Sequence, residues 1–175
     1  WDPAKDEAAG EQYRAYGAPA IMRMPTRLRI SWQDDATLKI EADAGTQVRL
    51  LRFGTPAGEP GGWQGMSVAS WDNPQAPLGG VGGRGRGGPP AGGSLRVVTN
   101  QLRPGYLRRN GVPYGANAVM TEYFDRFDAP GGDSLLVVSQ ELVDPEHLAT
   151  PFWTSAHFKR QTDASGWNPT PCLAR

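Results

Sequence analysis

Apolar and polar residues alternate with a period of two along most of the chain between residues 27 and 160. In the first of these segments, for example, Leu28, Ile30 and Trp32 alternate with charged or polar neighbours. A period of two is typical of half-buried antiparallel strands, because successive side chains point to opposite faces of a sheet. The pattern predicts eight strands, over residues 27–32, 37–42, 47–53, 63–71, 95–102, 117–127, 135–143 and 152–160.

Short turn sequences separate several of these strands, and the helical signal is confined to the N-terminal region. Residues 33–35, 43–46 and 130–133 are typical of tight turns, because they are rich in Asp and Gly. A short helix is predicted between Asp6 and Tyr16, ended by Gly17 and Pro19, with residues 21–24 extended after it.

These elements predict an all-β fold of about eight antiparallel strands after a short N-terminal helical and extended segment. Closure into a barrel is favoured because it removes exposed strand edges. A β-sandwich is the alternative architecture. We expect residues 1–26 to form an extension packed on the barrel, residues 27–160 to form the single barrel domain, and residues 161–175 to be an irregular tail.

Residues 73–93 interrupt the strand pattern with a run rich in Gly and Pro. Such a run has too little apolar surface to offset its ordering entropy, so it predicts a flexible loop. Residues 80–85 match the pattern G-x-G-x-x-G, but neither a strand before them nor a helix after them is predicted. The match is therefore not interpreted as a nucleotide-binding motif.

Composition excludes several classes of function. The 18 Lys and Arg residues balance the 18 Asp and Glu residues, which gives no global electrostatic reason to bind nucleic acid. No apolar run reaches the length of a membrane span, so no membrane insertion is predicted. The single cysteine, Cys172, permits no internal disulfide, and the two histidines show no metal-ligand spacing. No metal and no cofactor are predicted.

Four titratable side chains lie on strand faces that the alternation makes otherwise apolar, namely Arg49, Glu122, Glu141 and His157. A charge on such a face is costly unless it has a partner or a function. One interpretation is a catalytic set, with Glu122 as general acid or base, His157 as a second proton carrier, and Arg49 or Tyr114 stabilising an oxyanion. The alternative is that Arg49 and Glu122 form a buried ion pair that fixes the strand register, with His157 structural.

Aromatic residues at strand ends and in loops are candidates for binding a ligand at the barrel mouth, and they could equally fill the barrel. Residues 106–114 form a long loop with two Tyr and two Arg, which favours a lid or recognition loop. The predicted ligand-binding residues are Trp63, Trp71, Tyr106, Tyr114, Glu141 and Trp153.

Several sequence strings, at residues 95–99, 105–114, 121–125, 141–145, 151–152 and 167–172, are distinctive. They resemble those of a family of exported bacterial proteins, mostly hypothetical, whose mature domain is a calycin or lipocalin-like β-barrel. The resemblance covers the chain from about Tyr16 onward and implies a periplasmic or secreted location, but no reaction. Relatives often have a cysteine near residues 16–19, where this chain has none, so a disulfide to Cys172 is not implied.

Three functions remain open at this point. The first is an extracytoplasmic barrel that binds a small apolar or aromatic molecule in its cavity. The second is a cofactor-free lyase, dehydratase or isomerase that uses a buried acid/base pair. The third is a structural envelope protein with no small-molecule site. The oligomeric state is not predicted.

Overall fold

The structure is a computed structural model that describes residues 2–54, 62–72 and 93–174. The flexible loop predicted at residues 73–93, with its glycine motif, therefore lies outside the described residues except for Gly93. Within these described ranges, two short helices precede ten strands, and single 3-10 turns lie at Arg14–Tyr16 and Gly62–Gln64. The elements are α1 Pro3–Ala8, α2 Ala18–Ile21, β1 Leu28–Asp34, β2 Thr37–Ala42, β3 Gln47–Phe53, β4 Met66–Asp72, β5 Ser94–Asn100, β6 Gly105–Tyr106, β7 Pro113–Tyr114, β8 Val119–Asp128, β9 Ser134–Val143 and β10 Phe152–Lys159.

Eight of the strands form one curled sheet in the order β1-β2-β3-β4-β5-β8-β9-β10, which confirms the all-β class. Within the described residues, β1 and β10 share no hydrogen-bonded ladder, so the sheet is a half-barrel with a seam between its first and last strands. The strands β6 and β7 pair separately at the base of the 105–114 loop.

The sheet departs from the expected all-antiparallel order at one place, where β3 and β4 run parallel. Leu51 lies opposite Ser67, and Phe53 lies opposite Ala69. Parallel neighbours need a crossover of about a dozen residues, and the connection over residues 54–65 is long enough to provide one.

The N-terminal region differs from its predicted structure. Helix α1 begins at Pro3, where the side chain of Asp2 accepts hydrogen bonds from backbone N–H groups, and it ends before Gly10, whose φ is +71°. Of residues 21–24, which were predicted to be extended, Ile21 ends helix α2 and residues 22–24 form turns and a bend. Pro19, which was predicted to end a helix, lies in the first turn of α2, where its fixed φ favours a helix.

The N-terminal segment, residues 2–26, packs against the concave face of the sheet and fills the space that the curled sheet partly encloses. Residues that pair across neighbouring strands point to the same face, and the even-numbered residues of β8 and β9 point to the concave side. Tyr16, Ile21 and Met22 join these residues in one buried cluster. Their main partners from the sheet are Ile40, Leu51, Leu95, Val97, Phe124 and Val138.

A second buried cluster holds the 105–114 loop against the N-terminal segment. Its largest side chain is Tyr114, which is only 1% exposed. A Cβ atom built on Gly105 would lie 2.7 Å from the Tyr114 hydroxyl, and one on Gly17 would clash with the same oxygen. The two glycines therefore allow the backbone to approach the tyrosine on both sides.

The C-terminal tail, residues 161–174, passes from β10 across the seam and reaches the turn between β2 and β3. The backbone N–H of Thr170 donates to the carbonyl of Asp43 at 2.9 Å, and that of Leu173 donates to the Tyr16 hydroxyl at 3.1 Å. Apart from an isolated bridge between Thr170 and Ala44, the tail has no regular structure. Among the described residues, no helix is both long and apolar enough to cross a membrane.

Candidate functional site

Arg49 and Glu122 form a buried ion pair on the concave face. Arg49 is 2% exposed and Glu122 is fully buried. The two guanidinium Nη atoms donate to the two carboxylate oxygens, with Nη1 to Oε1 at 3.0 Å. Gln140 donates to the same Oε1 at 2.8 Å, and Arg49 also donates to Thr99 at 3.4 Å. This geometry matches the structural interpretation of the two charges, a pair that holds β3 against β8 across two intervening strands.

Gln140 is a member of this network that the sequence analysis missed. It lies between Val138 and Leu142 on the concave face of β9, and all three are buried. The pattern that identified Glu122 also applies to Gln140, because a polar residue flanked at two positions on each side by apolar residues shares their face.

Glu122, Arg49 and His157, the catalytic set of one interpretation, do not converge on one cavity. On β10 the inward residues are Phe152, Thr154, Ala156 and Phe158, while His157 and Trp153 alternate with them and are exposed. Glu141 lies opposite Trp153 in the register and shares its outward face. Glu122 is enclosed and fully engaged by Arg49 and Gln140, so no internal acid/base set with His157 is formed.

The aromatic residues predicted to bind a ligand lie in separate places. The Tyr106 hydroxyl donates to Asp6 at 3.0 Å within an N-terminal network, and the Trp63 ring lies 4.3 Å from the Arg103 guanidinium. Trp71 is 61% exposed and lies 6.0 Å from Phe53, ring centre to ring centre.

Tyr114 cannot reach a ligand from its buried position, and burial raises the pKa of its hydroxyl well above the ordinary value. The predicted aromatic mouth is therefore not assembled among the described residues.

A cleft of about 880 Å³ lies in the seam between β1 and the paired strands β9 and β10. The irregular tail contributes its outer wall. Apolar side chains from both sheet edges and from the tail line the cleft. They are Leu28, Ile30, Leu135, Leu136, Phe158 and Trp167. Basic and polar side chains surround them, and His157 is the only predicted site residue among them.

The charged lining of this seam cleft consists of five cationic side chains and one carboxylate, Asp163. Salt bridges engage three of the cations: Arg27 with Asp43, Arg126 with Asp128 and Lys159 with Asp133. The remaining two are Arg29 and Arg160, which have no carboxylate partner within the described part of the chain. The Arg29 guanidinium instead lies 4.0 Å from the centre of the Trp167 ring, a cation–π contact that holds it at the cleft.

Asp43 anchors the wall of the cleft. Its carboxylate accepts hydrogen bonds from the backbone N–H of Arg27 at 2.7 Å, the Thr26 hydroxyl at 3.0 Å and the backbone N–H of Asn168 at 3.2 Å. Burial alone would raise the pKa of Asp43, but these bonds, with one from the Arg27 side chain, outweigh burial and hold the pKa below its ordinary value. One carboxylate thus ties the start of β1 to the tail.

A third polar group surrounds the turn after β9, where the ligating atoms of Asp144, Glu146 and His147 lie within 4.8 Å of one another. The Asp144 carboxylate accepts from the backbone N–H groups of Gly115 at 2.7 Å and Glu146 at 3.2 Å, and it contacts His147 at 3.1 Å. These hydrogen bonds explain why the three side chains lie together, because Asp144 caps the turn.

Comparisons of the chain with protein-family models, with curated proteins and with solved structures found no match. Function is therefore inferred from the seam cleft and its charges.

Replacing Glu122 with Gln should destabilise the fold strongly. The substitution leaves the Arg49 charge buried without its counter-charge, which costs about 3–5 kcal/mol when one partner of a buried pair is removed. Urea denaturation measures the difference. Glu141→Gln, on the outward face of β9, is the matched control and should change stability by less than about 0.5 kcal/mol.

The double variant Arg49→Met, Glu122→Leu should recover most of the loss, because it removes both charges and keeps apolar volume. Equal stability of Glu122→Gln and Glu141→Gln would show that the ion pair does not support the fold.

The stabilising effect of Asp43 should depend on pH. Its folded pKa lies below the unfolded value of about 3.9, so its contribution is complete above that value and is lost as pH falls through the folded pKa. At pH 7, Asp43→Asn should therefore be less stable than the wild type by about 1–3 kcal/mol, and the gap should close in acid.

Urea denaturation of both proteins between neutral and strongly acidic pH measures this gap. Asp133→Asn, which removes an exposed partner of Lys159, is the control and should cost less than about 1 kcal/mol. A gap that stays constant into strong acid would contradict the role of the ionised Asp43.

Proposed function

We propose that the chain is a binding module for a small molecule with an apolar or aromatic body and an anionic group, held in the seam cleft. The observation behind the proposal is the combination of apolar walls with an excess of positive charge in a space of about 880 Å³. Ligand sites in proteins are typically apolar concavities of this order of volume with a few polar groups that fix orientation.

The apolar part of the ligand would lie against the two sheet edges. Leu28 of β1 and Leu136 and Phe158 on the other side of the seam are half-buried and line the cleft. Covering their remaining exposed surface would stabilise a complex by about 25 cal/mol for each Å² of apolar surface removed from water. Among the described residues, the N-terminal segment and the Arg49–Glu122 pair occupy the interior of the sheet.

The anionic group would bind Arg29 and Arg160, whose guanidinium groups are not engaged by carboxylates of the described residues. A guanidinium presents parallel N–H donors that match the two oxygens of a carboxylate, sulfonate or phosphate. Trp167 holds the Arg29 head group in place, so less conformational entropy is lost when an anion binds. This chemistry selects an amphiphilic anion over a neutral apolar molecule.

A location outside the cytoplasm is part of the same proposal, and its support is the resemblance to exported calycin-like proteins. We expect the native protein in the periplasmic or culture fraction of its source cells. Immunoblotting of fractionated cells measures this, and recovery with cytoplasmic markers alone would contradict it.

The ligand class can be tested with two fluorescent probes that share a ring system. The first, 1-anilinonaphthalene-8-sulfonate, has a sulfonate, whereas N-phenyl-1-naphthylamine lacks it. Arg29→Gln and Arg160→Gln should each weaken sulfonate binding about tenfold, because a charge-assisted hydrogen bond contributes about 1.5–3 kcal/mol. The affinity for the neutral probe should change by less than about twofold, since its apolar contacts persist.

Arg52→Gln is the matched control, because Arg52 lies on β3 and does not line the cleft. Unchanged urea midpoints would show that each variant keeps its fold. Equal sulfonate affinity in Arg29→Gln, Arg160→Gln and Arg52→Gln would refute the proposal. The structural, ligand-free alternative would then gain support.

A further inference from the structure

A second, smaller pocket of about 320 Å³ lies where the segment after α2 meets the 105–114 loop. It shares no lining residue with the seam cleft. Its charged lining consists of three arginines, Arg23, Arg108 and Arg109, and no carboxylate. The other lining residues are Ala15, Ala20, Met24, Pro25 and Leu107.

Arg23 is held at this pocket by uncharged partners. Its Nη2 atom donates to the carbonyl oxygens of Pro19, at 3.1 Å, and Leu107. The guanidinium lies 5.0 Å from the centre of the Phe152 ring. These contacts fix the position of the head group, but none of them supplies a negative charge.

The charge of Arg108 acts unfavourably on the Arg23 guanidinium. Within the described residues, no carboxylate oxygen lies within 4.0 Å of a guanidinium nitrogen of Arg23, Arg108 or Arg109. Burial and the charge of Arg108 lower the pKa of Arg23 to about 10. The Nε atoms of Arg23 and Arg109 are buried and have no hydrogen-bond partner among the residues described.

Like charges that line one pocket without a carboxylate are unfavourable, and one bound anion would relieve their repulsion. We propose that this pocket binds a phosphate group, free or at the end of a small molecule, through the guanidinium N–H groups of Arg23, Arg108 and Arg109. Three cationic groups favour a dianion over a single carboxylate, and arginine forks match the oxygens of a phosphate. The site is separate from the seam cleft and does not depend on the function proposed for it.

Titration calorimetry with inorganic phosphate at low ionic strength tests the site. Saturable binding with one phosphate per chain is expected, together with a higher melting temperature in phosphate. Arg108→Gln should weaken binding about tenfold. Because Arg108 is exposed and its side chain makes no hydrogen bond among the described residues, this variant is expected to fold.

Arg108→Glu gives a sharper signature. Its carboxylate would provide an internal counter-charge for Arg23 and Arg109, so phosphate binding should be lost and the melting temperature should no longer respond to phosphate. Arg52→Gln, which changes neither pocket, should bind phosphate as the wild type does. Phenyl phosphate in a parallel titration distinguishes a pocket that accepts an esterified group from one that holds only the free ion.

Three results would overturn the proposal. They are the absence of saturable phosphate binding at millimolar concentration, equal affinity in Arg108→Gln and Arg52→Gln, and a melting temperature of Arg108→Glu that still rises with phosphate.

Discussion

An eight-stranded sheet whose first and last strands do not pair cannot bury its concave face by closing on itself. Here the two ends of the chain bury it instead. Tyr16 and Ile21 enter the concave core from the N-terminal side, and the tail crosses the seam and is held at Asp43. The Tyr16 hydroxyl accepts the backbone N–H of Leu173, so the two terminal segments also bind each other. This arrangement leaves the interior filled and moves the accessible concavities to the seam and to the margin of the N-terminal segment.

The Arg49–Glu122 pair depends on this filling. An ion pair in a water-excluded interior has a large desolvation cost, which only bidentate geometry and further hydrogen bonds can offset. Gln140 and Thr99 supply those bonds. Because β3 and β8 are not neighbours in the sheet, the pair can form only when the sheet is curled enough to bring them together. We infer that it selects this curvature over a flatter sheet more than it adds to stability.

The period of two predicted the strands well because it reports a property of the local chain. The bounds of β2 and β3 are those predicted, and the turn predicted at residues 43–46 is present, with a φ of +69° at Gly45. The alternation shows which residues share a face, but it does not show which face is covered. It therefore placed His157 on the wrong side of β10, where apolar residues lie on both faces. Neither basic pocket was predicted, because each combines residues that only the curled sheet and the packed terminal segments bring together.

Net charge is a poor guide to binding in this chain. The 18 cationic and 18 anionic residues cancel over the whole sequence, which removes long-range attraction of an anion. Locally the charges do not cancel, since the smaller pocket has three arginines and no carboxylate. Without a steering field, an anion would gain its binding energy only after it reached the pocket, from short charge-assisted hydrogen bonds. Salt at physiological concentration screens exposed charges beyond about 8 Å, so such contacts would resist salt better than a diffuse basic surface does.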